Sequence, residues 1–338
     1  MPEVSTNLVE DIAWARHEIN KLRERLGAVV LEQGQAVDSL LETMLSGGHA
    51  LLVGVPGVAK TLLCRALAYY LDLQFTRVQF TPDLLPGDIT GSEFFDGMRM
   101  EWNVNTGPIF TQLFLADEIN RAPAKIQSAL LEAMQEGQVT LGGKSIKLPT
   151  PFMVIATQNP VEMEGVYPLP EAQQDRFLTR IDIGYPPALA EARMAMANAV
   201  NHNHTETGAA YLGIGGDSRP ILDSTGVTRM QVARSKVVID ERLALYSVHL
   251  AQATREASLV GSHRILRLGA GPRATQAMLL MAQAHSLMRG GYFVLPEDIQ
   301  AVAPGVFRHR LIPDDSLGWG PSDLDGYIVD LLNRVAIP

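Results

Sequence analysis

Gly54-Val55-Pro56-Gly57-Val58-Ala59-Lys60-Thr61 is the stretch on which the reading of the chain turns. A short apolar run, His49 to Val53, precedes it, and a segment with helical spacing, Lys60 to Leu71, follows, so the order is strand, glycine-rich turn, helix. In that context the backbone N–H groups of the loop and the helix N-terminus can wrap phosphate oxygens, Lys60 can reach the β- and γ-phosphates, and the Thr61 hydroxyl can ligate Mg²⁺. The stretch departs from G-x-x-x-x-G-K-[ST] once, where Ala59 stands for the second glycine. Taken alone, its other reading is a glycine turn with a surface lysine.

Working outward, strands are expected at Phe75 to Phe80, Ile109 to Ala116, Phe152 to Thr157 and Arg180 to Ile183, with a helix from Lys125 to Glu136. Strands alternating with helices predict an α/β domain with a mostly parallel sheet. The run Ile109 to Ala116 ends in Asp117-Glu118, which puts two carboxylates at the carboxyl edge of such a sheet, where ligands bind. There Asp117 would hold Mg²⁺ through water and Glu118 would orient and polarise an attacking water. The alternative is an acidic pair opening a helix. The third strand ends in Gln158-Asn159-Pro160, where Asn159 can reach a γ-phosphate or the water, or simply form an Asn-Pro turn. Arg176, in Asp175-Arg176-Phe177, and Arg273, in Gly271-Pro272-Arg273, gain meaning only beside these motifs, since single arginines are usually solvated or locally paired.

On the N-terminal side, residues 8 to 45 read as helix up to Gly47-Gly48, and after Tyr185-Pro186-Pro187 the pattern turns helical: Ala190 to Asn201, Thr228 to Lys236, Asp240 to Ala257, Thr275 to Met288 and Pro296 to Phe307. This predicts an N-terminal helical segment (1–46), an α/β core (47–186) and a smaller all-α domain (187–338). A flexible loop is expected over 201–226, and His202 and His204 within it have no carboxylate or thiolate arrangement beside them to make a metal site.

The chain has 338 residues, 46% of them hydrophobic and 19% charged, enough for a sizeable core and incompatible with global disorder. Cys64 is the sole cysteine, which excludes a disulfide scaffold and a structural zinc finger. Neither a signal peptide nor a membrane span is expected, and the predicted compartment is the cytoplasm. With 28 Lys and Arg against 37 Asp and Glu, a net charge of −9 weighs against non-specific nucleic-acid binding.

These motifs together resemble the AAA+ ATPases, and within them the MoxR family, of the helix-2-insert branch related to magnesium-chelatase ATPase subunits. The matching stretches are Gly48-His49-Ala50-Leu51-Leu52 leading into Gly54 to Thr61; Gln79-Phe80-Thr81-Pro82-Asp83-Leu84-Leu85-Pro86-Gly87-Asp88-Ile89-Thr90-Gly91; and Ala116-Asp117-Glu118-Ile119-Asn120-Arg121-Ala122-Pro123. They continue in Gln127 to Glu136, Ala156-Thr157-Gln158-Asn159-Pro160, Gly165 to Phe177 and Gly271-Pro272-Arg273-Ala274. The resemblance implies a P-loop NTPase core with a five-stranded parallel sheet, a helical lid, and ATP and Mg²⁺ as cofactors. It makes Gly54 to Leu62 the nucleotide loop (Walker A), with Ala59 a family habit. Thr61 and Asp117 become the metal-holding residues, and Asp117-Glu118 is the Walker B pair. Asn159 is implied as sensor 1, Arg176 as an arginine finger and Arg273 as sensor 2. Adenine contacts fall near Val30 to Gln35. A finger acting on a neighbour's nucleotide implies a homo-oligomeric ring, a hexamer, with head-to-tail contacts. Residues 81–107 correspond to the helix-2 insert, whose Phe94, Phe95 and Trp102 suit either a hairpin touching substrate in the ring pore or packing beside a loop.

Three functions follow from this reading. The first is Mg²⁺-dependent ATP hydrolysis driving chaperone-like remodelling or activation of a partner protein, one with a von Willebrand factor A domain by family resemblance, with metal-cofactor insertion as one outcome. The second is a nucleotide-gated scaffold with negligible turnover, against which the whole set Glu118, Asn159, Arg176 and Arg273 argues. A nucleic-acid motor or transcriptional activator is the third. The net charge and the lack of a Gly-Ala-Phe-Thr-Gly-Ala loop in the insert disfavour it.

Overall fold

The computed structural model describes residues 6–30, 32–160, 166–192, 196, 219–258 and 265–338. Through the core the described elements run α1 (Thr6–Val29), α2 (Gly34–Leu45), β1 (Ala50–Gly54), α3 (Lys60–Tyr70), β2 (Phe75–Gln79), α4 (Pro86–Thr90), β3 (Gly91–Asp96), β4 (Glu101–Thr106), β5 (Leu113–Asp117), α5 (Ala124–Glu136), β6 (Gln138–Leu141), β7 (Lys144–Lys147), β8 (Met153–Gln158), α6 (Glu171–Gln174) and β9 (Thr179–Ile183). The lid adds α7 (Ser224–Ser235), α8 (Glu241–Glu256), β10 (Leu266–Leu268), α9 (Pro272–Arg289), α10 (Pro296–Phe307), β11 (Ile312–Pro313) and α11 (Pro321–Arg334).

Five strands form one sheet in the order β2-β5-β8-β1-β9, every neighbouring pair parallel. A parallel sheet covered on both faces needs strands that are apolar throughout, and every residue of β1 and β5 is buried. Alternate side chains then serve opposite cores. Leu52, Leu113, Leu115 and Ile155 join α1, α2, α3 and the lid helices on one face, whereas Leu51, Phe114, Val154 and Ala156 meet Leu130 and Leu131 of α5 on the other. One continuous core thus links the N-terminal helices, the sheet and the lid. Both α1 and α2 lie against lid helix α9, and α2 also lies against β9.

Several details differ from the sequence expectations. The single helix expected over residues 8 to 45 is two, because the chain turns at Glu32, whose φ of 60° is left-handed, before α2 opens at Gly34. Strand β5 starts at Leu113 instead of Ile109. The apolar residues before it form a tight turn, with Phe110 N donating to Gly107 O and Thr111 N to Ile109 O, yet Ile109 is still buried. The hairpin β6–β7 was not anticipated. It closes through Gly142 and Gly143, both at positive φ (58° and 70°), the pair a two-residue primed turn requires. The C-terminal region is helical as expected, apart from the short antiparallel ladder β10–β11, and it ends in an unanticipated helix, α11.

Helix α7 begins inside the expected 201–226 loop, because Asp223 caps it, its Oδ1 accepting from Gly226 N at 2.8 Å. His202, His204 and most of the helix expected from Ala190 to Asn201 lie outside the described residues. Among the described residues no helix is long and apolar enough to cross a membrane.

Candidate active site

The carboxyl ends of β1, β5 and β8 lie side by side in the sheet, so the loop after β1, the acidic pair after β5 and the amide after β8 share one edge. Backbone demands explain the loop's composition. A side chain at Gly54 would come within 2.5 Å of Ile183 O on β9, and Gly57 has φ 85°. Ala59, the residue before α3, has φ 63° and ψ 21°, the left-handed conformation for which glycine is the usual choice. No side chain caps α3, and its first turn carries no acid, so its N-terminal N–H groups present their positive end to the loop. Lys60 Nζ donates to the carbonyls of Gly54 and Val55, which holds its ammonium across the loop. Thr61 and Leu62 follow in the first turn, both half-buried.

Asp117 closes β5 and is buried. Its Oδ1 accepts from Thr157 Oγ1 at 2.6 Å, and its Oδ2 accepts from Arg77 Nε at 2.8 Å. Glu118 follows in a left-handed conformation, φ 56°, which turns its side chain out of the strand's alternation. Its backbone N–H donates to Thr157 Oγ1 at 2.8 Å. Its carboxylate Oε2 accepts from Gln79 Nε2 at 2.6 Å and pairs with Arg121 Nε at 3.1 Å. Both carboxylates are therefore aimed by side chains from β2, β8 and the turn after β5. Asn159, just past β8, is buried beside this edge. Cys64, on α3, is buried, and its thiol is pushed up, first by burial and then by the charge of Asp117. That makes it a packing residue rather than a nucleophile.

Arg176 and Arg273 are brought to one another's neighbourhood. Arg273 Nη1 lies 3.5 Å from Asp175 Oδ2, the residue before Arg176, and Asp175 also accepts from Arg310 Nε at 2.8 Å. Arg176 Nε is buried with no hydrogen-bond partner among the described residues.

Arg77, Gln79, Arg121, Thr157 and Arg310 were not singled out from sequence. Gln79 stands opposite Asp117 in the β2–β5 register, a relation that appears only once the strand order is known. For Thr157 a signal existed, since it precedes Gln158-Asn159 at a strand end.

This donor set fits a nucleotide with Mg²⁺: an uncapped helix start and a lysine for phosphate, and one hydroxyl and one carboxylate for a hard cation that is otherwise held by phosphates and water. Among the described residues no group of three or more His, Cys, Asp or Glu is gathered to hold a metal alone.

Residues 49–179 match the family described as ATPase family associated with various cellular activities (AAA), and residues 259–320 match the AAA lid domain. The chain is 40% identical over 306 residues to Chaperone MoxR1 of Mycobacterium tuberculosis, covering 90% of this chain and 78% of that protein. It is 37% identical over 320 residues to the uncharacterised protein YeaC of Bacillus subtilis, covering 95% of each. A solved structure from Cytophaga hutchinsonii, 38% identical, superposes with a TM-score of 0.84 over 97% of both chains.

Proposed function

The chain belongs to the MoxR family of AAA ATPases, and on that premise we propose that it hydrolyses ATP with Mg²⁺ in a homo-oligomeric ring, a hexamer, to remodel, assemble or activate a client protein. The observation that carries this reading is the aimed carboxylate of Glu118. It lies at the ligand edge of the sheet and is held by Gln79 and Arg121, where a base that polarises water is needed. The loop from Gly54 to Leu62 would cradle the phosphates, with Lys60 neutralising them. Thr61 and Asp117 would hold Mg²⁺, which when bound supplies charge neutralisation at the transferring phosphoryl group. Asn159 would orient the γ-phosphate or the water. Arg176, whose Nε has no partner among the described residues, would serve as the finger toward a neighbouring subunit, and Arg273, beside Asp175, would share that side.

Client contact has its own support in the insert. Hairpin β3–β4 pairs Phe95 with Trp102; the two rings lie against each other, centroids 5.5 Å apart, and both are exposed. Met98 at its tip is 99% exposed. Apolar surface of that kind on a projecting hairpin suits contact with another protein. A von Willebrand factor A domain client and metal-cofactor insertion are the finer form of the same proposal, drawn from family resemblance. A scaffold without turnover would not need Glu118 oriented by two side chains.

The test is steady-state ATPase activity against protein concentration with Mg²⁺, alongside sizing with and without ATP. Specific activity should rise as a ring-sized species forms. A concentration-independent, negligible rate with nucleotide still bound would contradict the reading.

A further inference from the structure

Arg310 lies three residues beyond α10, and its side chain is only 3% exposed. Burying a guanidinium is costly unless its donors are used, and here all three nitrogens are. Nε donates to Asp175 Oδ1 at 2.8 Å; Nη2 donates to the backbone oxygens of Asp175 at 3.3 Å and Phe177 at 2.6 Å. Nη1 donates to Leu178 O at 3.1 Å and Val306 O at 2.7 Å. The neighbouring His309 donates from Nε2 to Phe177 O at 3.0 Å. One side chain from the lid thus grips the residues on both sides of Arg176.

The choice of residue fits the task. A planar guanidinium meets a carboxylate and several carbonyls at once, which the three donors of a lysine on a flexible stem do not reproduce. Between the two gripped flanks, the Arg176 backbone N donates to Gln173 O at 3.2 Å, while its Nε has no partner among the described residues. Both flanks of Arg176 are thus anchored by Arg310.

We propose that Arg310 is the positioning residue for Arg176: it fastens both flanks of the finger to the lid of the same subunit, and so sets where Arg176 reaches in the next one. This rests on Arg176 being a finger that acts on a neighbour's nucleotide. A group misplaced by about 1 Å can lose about 100-fold in rate, so the grip has a measurable consequence without any contact to substrate.

Mixed rings test it. Lys60→Ala subunits retain a finger but lose the phosphate lysine, and Arg176→Ala subunits retain the lysine but lose the finger, so mixing them creates complete sites across subunit boundaries. Arg310→Met is then added to one type or the other. On the Lys60→Ala subunit, which supplies the finger, it should lower the recovered turnover about 100-fold, with the KM for ATP within about threefold. On the Arg176→Ala subunit, whose finger is already gone, the recovered turnover should fall by no more than about threefold. Asp175→Asn keeps the shape and removes the charge; it should show the same asymmetry with a loss of about tenfold, and it stands in should Arg310→Met impair folding. Equal losses from both placements, or none from either, would overturn the role of Arg310 while leaving the finger intact. Absence of recovery in the parent mixture would overturn the finger and this inference together.

Discussion

At the ligand edge of the sheet, Glu118 is held by Gln79, 39 residues earlier on the adjacent strand, and by Arg121, three residues later. At the lid junction, Asp175 is held by Arg310, 135 residues away in sequence. Both regions fix a charged group through a side chain held elsewhere in the fold: Glu118 is the proposed base itself, and Asp175 adjoins the proposed finger, Arg176. The first uses strand register, so its geometry is as rigid as the sheet. The second uses a lid residue, so its geometry belongs to the packing of two parts of the chain. A lost holder at the edge should therefore injure the subunit's own site, and a lost holder at the junction should injure the site that Arg176 serves.

The largest effect separating the two is the loss of Arg176 itself. Arg176→Ala should lower turnover by about 10³ while ATP binding persists, by the precedent of fingers supplied from a partner. A rate close to that of the unmutated protein would remove the junction from catalysis. At the edge, Gln79→Ala should lower kcat by about tenfold with little change in KM, because it removes one of the two side chains that aim the carboxylate of Glu118 and leaves the carboxylate in place. An increased KM at constant kcat would instead make Gln79 a binding residue.

A pH titration distinguishes the packing beneath the two regions. His49, the residue before β1, is half-buried with both ring nitrogens used: Nε2–H donates to Met134 O at 3.1 Å and Nδ1 accepts from Val154 N–H at 3.0 Å. Burial lowers its pKa from 6.5 to about 4. A histidine depressed in this way contributes stability that is present above pH 6.5 and is lost as pH falls toward about 4. On the order of 2 kcal/mol should disappear between pH 8 and pH 5 on its account. His49→Gln should flatten that part of the stability–pH curve measured by urea unfolding. His309, lowered well below its usual value by burial and then by Arg310, should leave a residual acid sensitivity at the junction. An unchanged curve in the variant would contradict the neutral tautomer assigned to His49.

The smallest effect is at Ala59. Its left-handed backbone, φ 63°, costs an alanine about 1 kcal/mol, and a glycine there relieves this while making the unfolded chain freer. Ala59→Gly should therefore shift unfolding free energy by less than about 1 kcal/mol and turnover by less than about twofold. A large loss in either would show that the methyl group has a packing role of its own.

What could be read from the sequence follows the same division. The glycine-rich loop was legible because its residues are contiguous and the chemistry of each is local. The sheet was legible because parallel strands buried on both faces are apolar runs. That rule overreached at Ile109 and Phe110, which belong to a turn although Ile109 is fully buried. Gly142-Gly143 is a hairpin signal, but its flanking strands, four residues each, are too short for their alternation to stand out. Arg77 and Gln79 were illegible for a different reason: each acquires a role only through the placement of β2 beside β5, which no local pattern encodes. Arg310 is the extreme case, since nothing near it in sequence marks a contact with Asp175.

Glu118→Gln tests the central claim most directly, with ATP binding and turnover measured on the same protein. The substitution puts an amide of the same shape where Gln79 and Arg121 now meet a carboxylate, so the loop and the fold should be undisturbed. The account predicts that ATP still binds with Mg²⁺ while turnover falls by at least about 100-fold, the range of a lost general base. Hydrolysis at the unmutated rate would contradict the assignment of Glu118 and, with it, the reading of the sheet edge as the catalytic site.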